Sequence, residues 1–417
     1  MREKTLRNCV IFLAGCLCFL TGFIGIRTYQ YVSFIRTPKT IHVFFEPYAT
    51  TPALMEMLAF VKSDKNAPKI IAWHRMPNIK EKIDLTEFNA LEVDIPQKEG
   101  HAHTAFKNLI IKLNRYLEDH PHIRYVELHT NMHHIKTMLI PFLNKFPKLT
   151  VSHIHFYEDG LGNVAGTSYD YYTHLRYPKD DSLLNEMINW RHSYPKKELK
   201  NDLAYTSFQM IYPVTYHLGH ADIIKNDPKF KSFTEHILKY GEIKNINFQQ
   251  IEDNLTKKQK ETFFKMIDFD YKKWKNDLKN KYIFVYTLGF VFGNENRIKA
   301  QGILLDNLMK KLPKNTVCYY KEHPSMDAES AQRVLKEANA KCKALPKSLP
   351  FETLLMADPA PNAVAGYSSS LFYSVPPHQI IGYITRSQND RYTKRLKEMK
   401  ILNEANIFHV WDILNNE

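Results

Sequence analysis

The segment Thr150–Gly160, with the sequence TVSHIHFYEDG, indicates a β-strand that ends in two carboxylates. Its first residues alternate and are rich in β-branched and aromatic side chains, and Gly160 can turn the chain sharply. In an open α/β sheet, ligands bind along the carboxyl edge because the loops there are free to shape a crevice. Asp159 is therefore our first candidate for a general base, although an Asp-Gly turn that only closes a strand has the same sequence.

Strands and helices alternate over most of the chain. Strand-like runs occupy residues 40–47, 69–74, 90–95, 125–129, 282–287, 316–321 and 363–367. From about 168 to 280 the sequence is instead polar, Lys-rich and helical, which is typical of solvated helix faces. Because strands that alternate with helices form parallel sheets covered on both sides, we predict an α/β protein with two domains facing a cleft.

Length and charge narrow the class of protein. The 417 residues exceed one typical core, which favours two domains. The 57 Lys and Arg against 44 Asp and Glu give a net charge of +13 without a long basic block. This balance suits an anionic substrate or an anionic membrane surface. The sequence contains no recognised nucleic-acid-binding motif, so nucleic acid is not an expected partner.

The amino terminus, residues 1–30, differs in composition from the rest. Three basic residues precede the uncharged run Cys9–Ile26, which is just long enough to cross a bilayer. We predict an uncleaved membrane anchor. There are two alternatives. One is a lipoprotein that is lipidated at Cys16, and the other is a signal peptide that is cleaved off. The basic residues on both sides of the run leave its orientation open.

Cysteines and histidines give little support for a metal site. Cys318 and Cys342 have no metal-like spacing, and we predict free thiols at both positions. His129, His133 and His134 lack the acidic or cysteine ligand of a familiar zinc motif. We therefore expect these histidines to be polar lining of a sugar pocket, and we expect no metal.

A cation and an imidazole follow a predicted strand in Lys321-Glu322-His323-Pro324. Pro324 biases His323 toward an extended backbone, which can direct its side chain into a crevice. An imidazolium there can bond a phosphate and give a proton to a leaving group, although His-Pro is also common in ordinary loops.

A second candidate for anion binding is the turn Gly366–Leu371. Its three serines open a predicted helix, where hydroxyls and backbone N–H groups can bind a phosphate. A serine N-cap would have the same sequence. Glu352 begins another predicted helix, either as a capping carboxylate or as an acceptor of hydrogen bonds from a ribose diol.

These motifs, in this order, resemble the bacterial sialyltransferases of glycosyltransferase family 80, over roughly residues 40–417. The match rests on Glu158-Asp159-Gly160, on the Lys-x-His-Pro motif that ends at Pro324, and on Ser369-Ser370-Leu371. Secondary matches are Pro213–His217 and Val410–Asp412.

The resemblance implies a GT-B architecture of two Rossmann-like domains with the active site between them. After the hydrophobic segment at 1–30 and a linker at 31–39, it implies an N-terminal acceptor domain at 40–205, completed by a C-terminal helix at 403–417, and a donor domain at 206–402.

The resemblance also implies roles for individual residues. Asp159 would deprotonate the acceptor, and His323 would contact the phosphate of the CMP leaving group. The remaining donor-side residues would be Lys321, Pro324, Glu352, Ser369 and Ser370. The acceptor side would contain Asn131, His134 and an aromatic platform at Phe290 or Phe292, where well-known members carry a tryptophan.

The implied function is inverting, metal-independent transfer of sialic acid from CMP-sialic acid to a sugar hydroxyl. CMP-sialic acid would be a co-substrate, with no resident cofactor. We expect a galactose-terminated surface glycan such as lipooligosaccharide as acceptor, and an inner-membrane protein with its catalytic domain in the cytoplasm. A transferase that uses CMP-Kdo and a non-catalytic glycan-binding relative are the alternatives.

Overall fold

The computed structural model describes residues 39–47, 49–73, 76, 78–95, 102–132, 138–159, 182–197, 207–251, 254–289, 294–323, 328–367, 370–385, 387 and 390–415. The predicted anchor at 1–30 lies outside these ranges. In the part of the chain that the structure describes, no helix has the length and apolarity needed to cross a membrane.

Seven parallel strands form the first sheet, in the order β3-β2-β1-β4-β5-β6-β7. Their bounds are β1 Thr40–Glu46, β2 Lys69–Trp73, β3 Ala90–Glu92, β4 Tyr125–Asn131, β5 Thr150–Tyr157, β6 Val214–Leu218 and β7 Glu242–Asn245. Because all seven run in the same direction, their carboxyl ends share one edge.

Six parallel strands form the second sheet, in the order β10-β9-β8-β11-β12-β13. Their bounds are β8 Tyr282–Leu288, β9 Thr316–Glu322, β10 Lys343–Ala344, β11 Ala363–Tyr367, β12 Ile380–Thr385 and β13 Ile407–His409. The strands β8 and β11 are almost wholly buried, as expected for a parallel sheet covered on both faces.

Helices connect the strands and cover the sheets. Their bounds are α1 Thr50–Lys62, α2 Ile79–Lys82, α3 Ala102–Asp119, α4 Ile140–Lys145, α5 Ser182–His192, α6 Ala221–Asn226, α7 Lys231–Tyr240, α8 Phe248–Ile251, α9 Lys257–Met266, α10 Tyr271–Asp277, α11 Glu295–Lys311, α12 Ala328–Glu337, α13 Glu352–Leu355, α14 Arg391–Glu398 and α15 Val410–Asn415. The Lys-rich segment predicted to be helical contains α9, whose phenylalanines are buried while its lysines face solvent.

The division between the sheets differs from the predicted domain boundary at 205/206. Strands β6 and β7 belong to the first sheet, because β6 pairs with β5 and β7 pairs with β6. The helix α9 also packs against α1 of the first sheet. Two strands beyond residue 206 therefore extend the first sheet, and at least one helix beyond that residue packs against it.

The C-terminal helix also differs from its expected place. The strand β13 pairs with β12, and α15 directly follows it and packs against α11. Ile413 of α15 is buried in the core of the second sheet. Residues 407–415 therefore complete the second sheet and not the first.

The prediction of free thiols at Cys318 and Cys342 is wrong. The two cysteines form a disulfide between β9 and the residue that precedes β10. The register pairs Tyr319 with Lys343, which places the two cysteines opposite each other with their Cα atoms 4.6 Å apart. That separation lies within the range that a disulfide spans.

Candidate active site

The carboxyl edge of the first sheet carries the predicted general base. The strand β5 ends at Tyr157, so the predicted strand and its pair of terminal carboxylates are confirmed. Glu158 is fully buried, whereas Asp159 is half-buried and directly follows it. Asn131 ends the neighbouring strand β4 opposite Tyr157 and is itself buried.

Glu158 joins the two sheets. Its Oε2 atom accepts a hydrogen bond of 2.7 Å from the backbone N–H of Gly219, which follows β6. The hydroxyl of Tyr373, which follows β11 of the second sheet, lies 2.8 and 2.9 Å from the two carboxylate oxygens. Burial raises the pKa of Glu158 to about 7, although these hydrogen bonds oppose the rise.

Two predicted donor residues lie at the carboxyl edge of the second sheet. Lys321 is a buried residue near the end of β9, and its Nζ atom donates to the carbonyl oxygens of Glu322 and Lys347, both at 3.1 Å. Burial lowers the pKa of Lys321, while the nearby Glu352 opposes this. His323 directly follows β9, and its backbone N–H donates to the carbonyl of Leu288 at 3.1 Å.

Glu352 is a second buried carboxylate that joins the sheets. It begins the short helix α13, and its Oε1 atom accepts hydrogen bonds from Thr51 of α1 at 2.9 Å and from Ser374 at 3.3 Å. Burial raises its pKa, whereas these hydrogen bonds and the charge of Lys321 lower it. Glu352 is thus a contact between the two sheets.

The end of β11 approaches the neighbouring strand β8 closely. Gly366 has a φ of +137°, and a Cβ atom there would lie 2.1 Å from the carbonyl oxygen of Thr287. Glycine is therefore required at this position. The helix predicted after the serines is a single 3-10 turn, Ser370–Tyr373.

A cavity of about 350 Å³ separates the two sheets at this point. Its walls come from both sheets and include Thr51, Glu158, Gly219, Tyr373, Ser374 and His378. The network of Glu158, Tyr373, Ser374 and Glu352 places the turn after β11 beside the segment that carries Asp159.

Part of the predicted site lies outside the described residues. These residues are His134, Phe290, Phe292, Pro324 and Ser369, together with the side chain of Ser370. Their roles stay predictions.

Sequence reasoning missed the residues that connect the sheets, namely Thr51, Gly219 and Tyr373. Tyr373 is close in sequence to the serine motif, and Gly219 follows the secondary match at Pro213–His217. None of the three residues belongs to a sequence motif. Each is recognised only by its contact with a buried carboxylate of another element.

A protein-family model described as sialyltransferase PMO188 matches residues 41–412, almost the whole chain. The chain belongs to this sialyltransferase family. No curated protein sequence matches it significantly.

Solved structures of sialyltransferases share the fold of this sialyltransferase. An α/β-galactoside α-2,3-sialyltransferase from Photobacterium phosphoreum has 22% sequence identity and a TM-score of 0.69 over 90% of this chain and 99% of that one. A sialyltransferase from Photobacterium damsela has 16% identity and a TM-score of 0.72 over 89% and 81%.

A third structural neighbour carries ligands. It is a 2,6-sialyltransferase from Photobacterium sp. JT-ISH-224 in a ternary complex with CMP and lactose, with 21% identity and a TM-score of 0.69 over 89% and 78% of the two chains. The family and the fold confirm the predicted GT-B glycosyltransferase that transfers sialic acid.

Proposed function

We propose that this sialyltransferase moves sialic acid from CMP-sialic acid to a galactose hydroxyl, with inversion and without a metal ion. The observation that carries the proposal is the contact of Tyr373 with Glu158. It brings the 3-10 turn Ser370–Tyr373, which follows the predicted phosphate-binding serines in the chain, to the residue that precedes Asp159. This contact supports a transfer site in which the donor phosphate and the acceptor base are neighbours.

Asp159 is the proposed base, and His323 the proposed partner of the phosphate. Breaking the bond to CMP builds positive charge on the sialyl carbon and negative charge on the phosphate. The protein must therefore aim donors at the phosphate and a carboxylate at the acceptor hydroxyl. Asp159 is half-buried at the edge of the first sheet, as an accessible base requires, whereas the adjacent Glu158 is enclosed and already bonded.

The donor nucleoside is proposed to lie along the edge of the second sheet. Lys321, Pro324 and Glu352 would border the cytidine and its ribose, and Ser369 and Ser370 would bond the phosphate. A monophosphate leaving group carries less charge than a diphosphate. Imidazole and hydroxyl donors can then stabilise it in place of a metal ion.

The acceptor is proposed to bind on the side of the first sheet, near Asn131 and His134, with Phe290 or Phe292 under the sugar ring. The 2,6-sialyltransferase complexed with lactose supports a galactose-containing acceptor. A surface glycan such as lipooligosaccharide is the proposed physiological target.

The test measures CMP release from CMP-sialic acid by the purified full chain, with and without lactose. We expect lactose to stimulate release, and Asp159→Ala to lower the stimulated rate by roughly 100- to 10,000-fold through loss of base catalysis. Asp119→Ala, an exposed carboxylate at the end of α3, is the matched control and should retain the rate.

Each contrary outcome identifies a different error. Release from CMP-Kdo but not from CMP-sialic acid would replace the donor with another CMP-activated 2-keto sugar. Absence of release from both donors would favour the non-catalytic relative. Equal rates for Asp159→Ala and the control would remove Asp159 as the base while leaving the family assignment intact.

The proposed location is the inner membrane, with residues 1–30 as anchor and the catalytic domain in the cytoplasm, where CMP-sugars are made. Protease treatment of intact spheroplasts tests this. Protection of the catalytic domain supports the cytoplasmic face, whereas its digestion places the domain on the exported face.

A further inference from the structure

One face of the first sheet carries a row of imidazoles around a single carboxylate. The register places His42 of β1 opposite Glu127 of β4, and His155 of β5 opposite His129 of β4. Since side chains alternate between faces, Glu127 and His129 point to the same side of the sheet as His42 and His155. The four side chains converge, although they come from three strands.

Three ring nitrogens surround one oxygen of Glu127. The distances from Oε1 are 3.4 Å to Nδ1 of His42, 3.3 Å to Nε2 of His129 and 3.1 Å to Nε2 of His155. The ligand atoms of His42, Glu127 and His129 all lie within 4.8 Å of one another. A tetrahedral zinc ion with bonds of 2.0–2.1 Å holds its ligands about 3.3 Å apart, which is close to these spacings.

Two of these nitrogens are buried without a hydrogen bond. Neither Nδ1 of His42 nor Nε2 of His129 has a hydrogen-bond partner of acceptable geometry. His129 is only 4% exposed, so water does not satisfy it from bulk solvent. A buried polar atom without a partner costs free energy, and a cation placed between the nitrogens and the carboxylate would remove that cost.

His129 and His155 each have a partner at the second ring nitrogen. The Nδ1 atom of His129 lies 2.9 Å from the hydroxyl oxygen of Tyr157, and Nδ1 of His155 lies 3.1 Å from Nε2 of His217. With a metal ion bound, Nδ1–H would donate in each case, which would leave both Nε2 lone pairs for the ion. Metal-binding histidines are typically held by such a second bond.

Charge also favours a cation. A metal binds imidazole through a neutral ring nitrogen, and Glu127 is the one acidic side chain in the cluster. The cluster thus combines neutral nitrogen ligands with one negative charge.

We propose that His42, Glu127, His129 and His155 bind one late first-row divalent cation, of which Zn²⁺ is the representative. Imidazoles select such ions over Mg²⁺ or Ca²⁺, which prefer oxygen ligands. The rings of His129 and His155 are nearly parallel, with centroids 4.5 Å apart, so the ring of His155 must rotate about its Cβ–Cγ bond to direct its Nε2 atom at the same ion. The ion would join β1, β4 and β5, and its role would be structural and independent of sugar transfer.

The experiment titrates Zn²⁺ into the full-length protein after removal of metals with a chelator. We expect one Zn²⁺ per chain with a Kd of roughly 1 µM or tighter, and a higher Tm with Zn²⁺ present. Co²⁺ in place of Zn²⁺ should give the visible absorption of a tetrahedral nitrogen and oxygen site. Glu127→Gln and His42→Gln should each weaken binding by roughly 100-fold.

The matched control is His153→Gln. His153 lies on the same strand and face as His155 but bonds Thr215 at 2.9 Å, so its loss should change the Kd by less than about 3-fold. Absence of stoichiometric binding would overturn the proposal and leave the cluster as a carboxylate bonded by imidazoles. Unchanged affinity in His42→Gln, whose side chain is partly exposed and whose loss the fold should tolerate, would also overturn it.

Discussion

The two sheets have the same parallel design but place polar side chains differently. In the second sheet, the strands β8 and β11 are aromatic and aliphatic, and the ionisable residues Lys321 and His323 come at the end of β9. In the first sheet, several imidazoles and the carboxylate of Glu127 lie along the middle of β1, β4 and β5. Polar groups at a strand end can serve a ligand in the cleft. Polar groups inside a covered sheet are shielded from water and must hydrogen-bond one another. A group left unpaired there costs free energy unless a ligand or an ion binds it.

We expect the largest effect on kcat from a histidine of the second sheet, and almost none from a histidine of the first. His323→Ala at the edge of the second sheet should lower kcat by roughly 100- to 10,000-fold, because the CMP phosphate loses its proton donor. His153→Ala on the face of the first sheet should change kcat by less than about 3-fold, since its contact is with Thr215. Steady-state rates with CMP-sialic acid and lactose measure both, and equal losses would erase the functional contrast between the sheets.

The next effect concerns the carboxylate that joins the sheets. The pKa of Glu158 is raised from 4.5 to about 7 in the folded protein. Between these pH values the folded protein keeps a proton that the unfolded chain has lost. The contribution of Glu158 to the free energy of unfolding is therefore complete below pH 4.5. This contribution falls by roughly 3 kcal/mol as the pH rises to 7.

Glu158→Gln tests this pH dependence, because its side chain stays neutral throughout. Urea unfolding between pH 4.5 and 7.5 should show a smaller loss of stability in Glu158→Gln than in the native protein. Glu118→Gln, an exposed position on α3, should keep the native slope. A slope that persists in Glu158→Gln would assign the pH dependence to other groups.

The smallest expected effect concerns the disulfide, a covalent link between neighbouring strands that we describe only in the second sheet. The disulfide Cys318–Cys342 closes a loop with a sequence separation of 24 between β9 and β10. Replacing both cysteines with alanine should lower the free energy of unfolding by roughly 2 to 3 kcal/mol through loss of loop-closure entropy. Denaturant unfolding of the native protein with and without reductant measures this, and the double variant should not respond to reductant.

The same disulfide bears on the proposed cytoplasmic location. Stable disulfides are typical of oxidising compartments. Alkylation of the thiols in acid-quenched cells, before lysis, distinguishes the two faces of the membrane. Oxidised Cys318 and Cys342 would favour the exported face, whereas alkylated thiols would agree with a cytoplasmic domain.

Much of the site was predictable from local sequence. The strand β5 and its terminal carboxylates follow from alternation and a glycine, and Lys321 and His323 lie at a strand end as predicted. These features depend on neighbours in the chain, so a single sequence contains them. The order of the three motifs also sufficed to indicate the sialyltransferase family.

Only the tertiary structure decided which distant residues meet. The assignment of β6 and β7 to the first sheet, the contact of Tyr373 with Glu158, the disulfide and the imidazole cluster all join residues far apart in sequence. In a parallel sheet, every neighbouring strand is reached through a crossover, so pairing leaves no local pattern to read. The sequence alone determined strands, helices and strand-end chemistry, whereas the folded structure decided the partners of Glu158 and Glu127, because burial and register arise only when the sheets assemble.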